Sequence, residues 1–138
     1  MVSNHVADLA REIGAFQGAV FGASAILATE ADKSRAWRET GALAVDLESD
    51  IVARIASQAG IPFLVARTIA DVACRELPPA ALIPLSEAGN PNLARVLGSV
   101  LRRPRQIGAL IRLARETRTA LSALTGPAHA LRGLVTAF

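Results

Sequence analysis

The stretch between residues 42 and 69 constrains this chain most, because it reads as strand, helix and strand in immediate succession. Residues 42–47 (ALAVDL) are short and apolar, with charge entering at the C-terminal end. Ser49 is placed to cap a helix over 50–59 that stops at Gly60. Pro62 then opens residues 62–69 (PFLVARTI), a β-branched and nearly continuous apolar run of the kind buried on both faces of a sheet. A right-handed crossover makes two such strands parallel. Polar groups just past their carboxyl ends, at 46–49 and 70–71, then share one sheet edge, where open α/β sheets bind ligands.

The flanking sequence extends this pattern. Residues 1–14 read as a helix, with Leu9 and Ile13 four apart and Gly14 as its stop. Residues 17–29 are small, apolar and punctuated by Gly18 and Gly22, which predicts a strand bulged at Gly22. Residues 30–40 form a short polar helix ending at Gly41. Beyond Asp71 the chain changes character. Pro78, Pro79 and Pro84 mark a loop, and Asn90-Pro91 starts an amphipathic helix over 92–101. A second helix spans about 105–124, with Ile107, Leu110, Ile111, Ala114 and Leu121 on one face. Gly126-Pro127 is expected to break it before a short final helix.

With 138 residues, 51% of them hydrophobic, the chain has material for one domain and one core. No apolar run is long enough to span a bilayer, and the N-terminus carries Asp8 and Glu12 without the apolar stretch of a secretory signal. Cys74 is the sole cysteine, which excludes an internal disulfide framework and fits a reducing cytoplasm. The formal charge of +3 hides an asymmetry. Residues 1–74 hold six Lys/Arg against nine Asp/Glu, and residues 75–138 hold nine Arg against three Glu. The basic half raises nucleic acid or an anionic membrane as partners, beside the plain reading of a solvated helix hairpin.

Glu48 and Asp71, expected at the carboxyl ends of neighbouring strands, are the strongest candidates for chemistry. Strand-end acids at a ligand edge bind sugar hydroxyls or transfer protons, but they also cap the following helix. The residues alone leave both readings open. No metal site is expected, since His5 and His129 lack partners at ligand spacing. Cys74 reads as a small buried hydrophobe. The Arg-rich helices lack interleaved aromatics, which argues against single-stranded nucleic acid.

Residues 41–71, GALAVDLESDIVARIASQAGIPFLVARTIAD, resemble the signature stretch of the nucleoside phosphorylase and nucleosidase superfamily, the purine and uridine phosphorylase family. The segment from Gly22 to Thr29, followed by Lys33, resembles the strand and loop ahead of that signature. LPPAAL at 77–82 and residues 96–124 resemble the C-terminal helices of hopanoid-associated phosphorylases. The resemblance implies an α/β fold: a partial three-layer α/β/α arrangement of phosphorylase type, with about three mainly parallel strands plus C-terminal helices. It implies a single, truncated domain over 1–138 that matches the C-terminal half of the family, with 91–138 as a helical extension. Its activity would be N-glycosidic cleavage of a purine nucleoside, such as adenosylhopane in hopanoid biosynthesis, with no cofactor beyond phosphate as a co-substrate.

Residue by residue, the resemblance makes Asp71 the acid that protonates the purine and Glu48 the acceptor for ribosyl hydroxyls. Leu47 packs under the sugar, the main chain at Ile26 meets the purine edge, and Arg67 is a supporting residue that pairs with a nearby carboxylate. For Asp71 to serve as an acid, Glu48 is expected beside it as a like charge. The sequence departs from the family at Ala70, where a serine is usual, and at Ala25, where nucleosidases carry a phenylalanine. The implied partners are a small-molecule nucleoside and further copies of the chain, with peripheral membrane contact through the Arg-rich helices and no nucleic acid. The rival expectation is a non-catalytic domain that oligomerises across an open sheet edge.

Overall fold

The structure, a computed structural model, describes the backbone of residues 2–84, 86, 90 and 92–135, and side chains between residues 6 and 125 of that set. Its elements are α1 (Val2–Glu12), β1 (Val20–Gly22), α2 (Glu30–Thr40), β2 (Ala44–Asp46), α3 (Ser49–Gln58), α4 (Leu93–Arg102) and α5 (Ile107–Val135). Short 3-10 turns occupy Pro79–Leu82 and Pro104–Gln106.

The expected α/β class is present, but the strand–helix–strand unit that closes is one step earlier than residues 42–69. β1 and β2 pair in parallel, Val20 with Ala44, Phe21 with Val45 and Gly22 with Asp46, and α2 is the crossover. Backbone bonds from Leu43 N to Ala19 O (2.9 Å) and from Ala23 N to Asp46 O (2.7 Å) flank this register. The strand expected over 17–29 is therefore three residues long, and its pairing passes Gly22 without a bulge.

Residues 62–69 form no strand. Their apolar side chains stay in the open, with Phe63 41%, Leu64 50% and Ile69 54% exposed. A run suited to burial on both faces needs layers above and below it, and among the described residues no neighbour supplies them. The sheet thus has two strands among the described residues, against the three expected.

Local chemistry explains the elements that form. Thr29 caps α2: its Oγ1 accepts from Asp32 N (3.1 Å) and donates to Asp32 Oδ2 (2.6 Å). Glu30 and Asp32 in the first turn favour the positive end of the helix dipole. Gly41 ends α2 at φ +66°, a left-handed conformation open to glycine, and its N–H reaches Trp37 O at 2.8 Å.

Gly22 answers a different demand. A Cβ there would sit 2.7 Å from the backbone nitrogen of Asp50, so α3 rests directly on β1. Asn92 caps α4 by accepting from Arg95 N at 3.1 Å. Gly126-Pro127 does not break α5, which runs on to Val135. Proline there removes one backbone donor from a long ladder without ending it.

Packing is carried by small side chains. Among the described residues the buried apolar ones are Ala23, Ala36, Ala42, Ala80 and Ala120, and no large side chain is fully buried. Polar ties join the segments instead. Gln106, itself buried, accepts from Ala80 N (2.9 Å) and donates to Ser99 O (2.8 Å), linking the Pro79–Leu82 turn to α4. Arg75 meets Glu116 at 2.7 Å and ties the loop after Asp71 to α5.

Candidate functional site

The C-terminal end of β2 is organised by Asp46, whose side chain is 8% exposed. Its Oδ1 accepts from the backbone amides of Ser49 (2.9 Å) and Glu48 (3.3 Å), and its Oδ2 accepts from the Ser49 hydroxyl. Asp46, and not Ser49, therefore satisfies the free amides at the start of α3; Ser49 is the first helical residue. Arg67 reaches Asp46 Oδ2 at 2.5 Å and Glu48 Oε2 at 3.4 Å. Burial opposes ionisation of Asp46, but the Ser49 hydroxyl and amide, with the Arg67 guanidinium, outweigh it and hold the carboxyl below the ordinary aspartate value.

Asp71 sits four residues beyond Arg67 in the irregular stretch that follows residues 62–69. Its partner is Lys33 of α2, with Nζ 2.6 Å from Asp71 Oδ2. The Lys33 side chain is 10% exposed and also donates to Val72 O (3.2 Å) and Arg75 O (2.7 Å). One ammonium thus holds the carboxylate and shapes the loop that carries it.

The geometry corrects the expected pairing of the two acids. Glu48 is an exposed side chain whose near charge is Arg67, while the charge beside Asp71 is the Lys33 ammonium. The ionic partner of Asp71 is thus an opposite charge, the Lys33 ammonium. The third strand that was to carry Asp71 alongside β2 is absent from the sheet, so the two acids are placed by separate cations. Leu47, just past β2, is 41% exposed, and Ile26, in the irregular chain after β1, is 53% exposed.

A wide cleft lies elsewhere. It has a volume of about 1230 Å³ and lies among α1, residues 14–20, residues 64–69 and α5, with Leu9, Ile13, Leu43, Val65 and Ala120 among its walls. Of the candidate residues only Arg67 lines it. Asp71 borders a separate recess of about 40 Å³ with Arg75, Arg112 and Glu116, which is too small for a nucleoside. The lining of the cleft is mostly apolar, and its size alone does not mark a site of chemistry.

Among the described residues no group of three or more His, Cys, Asp or Glu is placed to hold a metal. The His5 and His129 side chains lie outside the described residues. Cys74 is free and exposed, not the buried hydrophobe expected.

A family model, Phosphorylase superfamily, matches residues 3–102. The chain belongs to the phosphorylase superfamily. The match spans Ile26, Leu47, Glu48, Arg67 and Asp71 together with Lys33, so every candidate residue lies inside it. A comparison with curated proteins and one with solved structures gave no match. No helix among the described residues is long and apolar enough to cross a membrane.

Sequence reasoning missed two features of this superfamily chain. Lys33 was noted within its segment but not as the partner of Asp71, which is 38 positions away. Asp46 belongs to the polar groups at 46–49, but the sequence reading does not single it out as their buried anchor. The signal for Asp46 lies in its short side chain, which readily accepts from backbone amides two or three residues further on, as in an Asx turn.

Proposed function

We propose that the chain acts on N-glycosidic bonds of purine nucleosides as a nucleosidase or phosphorylase. The observation that carries this reading is the superfamily match across the segment that bears both acids. Glu48, exposed at the end of β2 and leaning on Arg67, is free to accept hydrogen bonds from ribosyl hydroxyls. Its charge favours the cationic sugar that develops as the bond breaks. Asp71 faces the base and relays a proton to it: the Lys33 ammonium passes one proton to the Asp71 carboxylate, and the carboxyl so formed gives it to the purine nitrogen, leaving a neutral amine beside the restored carboxylate. Leu47 and the main chain at Ile26 flank sugar and base. Water or phosphate is the nucleophile, the reaction belongs to the cytoplasm, and adenosylhopane is the substrate that the resemblance of the C-terminal helices favours.

The test is release of free base from adenosine, inosine and lipid-linked adenosine, with and without phosphate. The wild type is compared with Asp71→Asn and Glu48→Gln. Both variants are expected to lose activity by about a hundredfold or more, as for loss of a general acid or an electrostatic contact. Equal turnover in all three removes these residues from the mechanism. Phosphate dependence separates a phosphorylase from a nucleosidase.

A second reading is favoured by one observation: many large apolar side chains are exposed, among them Ile51, Val52 and Ile55 of α3, Val45 of β2 and Leu43 just before it. A non-catalytic domain that covers this surface by self-association fits it. A monodisperse oligomer without glycosidase activity decides for that reading.

A further inference from the structure

α4 packs the wrong way round for a helix that serves a core. Leu93, Leu97 and Leu101 are spaced four apart and share one face, yet they are 74%, 59% and 73% exposed. The half-buried positions of α4 are Val96, Gly98, Ser99 and Val100, and Ser99 is bound by the buried Gln106 amide. The helix is therefore held by this flank while its leucine stripe faces solvent. α5 continues the surface with Ile107 and Ile111, 44% and 50% exposed.

The charge on the α4–α5 hairpin is nearly all of one sign. Arg95, Arg102, Arg103, Arg105, Arg112, Arg115 and Arg118 are all exposed, and among the described residues none is in an ion pair. The one acid between residues 92 and 125 is Glu116, whose charge is taken up by Arg75 from the preceding loop.

We propose that this hairpin docks in the plane of an anionic phospholipid bilayer, with the leucine stripe in the acyl boundary and the guanidinium groups among the phosphates. The combination of features selects this partner. Leucines at these exposures gain from an apolar phase, which a nucleic acid does not offer, and guanidinium pairs with phosphate in bidentate geometry. Long arginine side chains lay their stems along apolar surface while their heads stay at the headgroups. The inference is independent of the proposed glycosidase activity.

The test is co-sedimentation of the full chain with vesicles of phosphatidylcholine, with and without phosphatidylglycerol, at low and high salt. Binding is expected to the anionic vesicles alone and to weaken with salt. Changing Leu93, Leu97 and Leu101 together to alanine is expected to weaken it by about tenfold or more. Changing Arg102, Arg103 and Arg105 to glutamine is expected to weaken it on the order of a hundredfold. The same three as lysine should keep most of it. Circular dichroism and urea unfolding of each variant separate lost binding from lost fold. Equal binding to neutral vesicles, leucine variants that bind like wild type, or tighter leucine-independent binding to duplex DNA or an acidic polypeptide each overturn the proposal.

Discussion

Lys33→Met is the most informative single change, because one side chain joins α2, Asp71 and the loop that follows. Methionine keeps the apolar stem and removes the ammonium. Three acceptors then lose their donor: Asp71 Oδ2 at 2.6 Å, Arg75 O at 2.7 Å and Val72 O at 3.2 Å. Hydrogen bonds that involve a charged group are worth about 1.5–3 kcal/mol each, and breaking a fully buried pair costs about 3–5 kcal/mol. Asp71 is 30% exposed, so water recovers part of that loss. A destabilisation of about 2–4 kcal/mol follows after this discount for screening.

With a urea m-value of about 1.5–2 kcal/mol/M, the midpoint should fall by roughly 1–2.5 M. Urea unfolding followed by circular dichroism measures it. Adding Asp71→Asn should recover on the order of 1 kcal/mol, since the carboxylate left alone is then gone. A single-mutant shift below about 0.5 kcal/mol, within the range of ordinary surface changes, refutes the claim that Lys33 holds this loop.

The other changes probe the β2–α3 corner. Asp46 titrates below its ordinary value of 3.8, so the stability it contributes is fully present above that pH and is lost as pH falls through the lower folded value. Asp46→Asn should therefore lower stability at neutral pH and flatten the loss of stability below about pH 4 seen in the wild type, which acid unfolding curves of the two proteins will test. Gly22→Ala puts a methyl group against the backbone of Asp50 and should cost about 1–3 kcal/mol. Thermal unfolding that leaves Gly22→Ala within error of wild type would contradict the close approach of β1 and α3.

The helices were legible because their signals are local. Thr29 and Gly41 bracket α2 by capping chemistry that acts within three or four residues, and the leucine spacing marks α4 without reference to any neighbour. Residues 62–69 show the opposite case. Their composition is that of a buried strand, but a strand exists only through its partners, and composition carries no information on whether those partners are in place. The break expected at Gly126-Pro127 failed for a related reason: proline removes one hydrogen bond, and a helix of 29 residues has many others.

At the candidate site the electrostatic surroundings of the acids were not legible. Glu48 and Asp71 stand out in the sequence, whereas the choice of Lys33 for one and Arg67 for the other depends on how α2 and the 67–75 segment lie in space. Arg67 was expected to find a carboxylate, and it sits 2.5 Å from Asp46.

Where α3 meets β1 over Gly22, the spacing is set by a missing atom. Helix and strand touch through their main chains, so the depth at which Glu48 is offered does not depend on how neighbouring side chains happen to fill space. Substitutions around this corner can therefore retune charge and shape while the acid keeps its station, and a change at position 22 itself is the one that would move it.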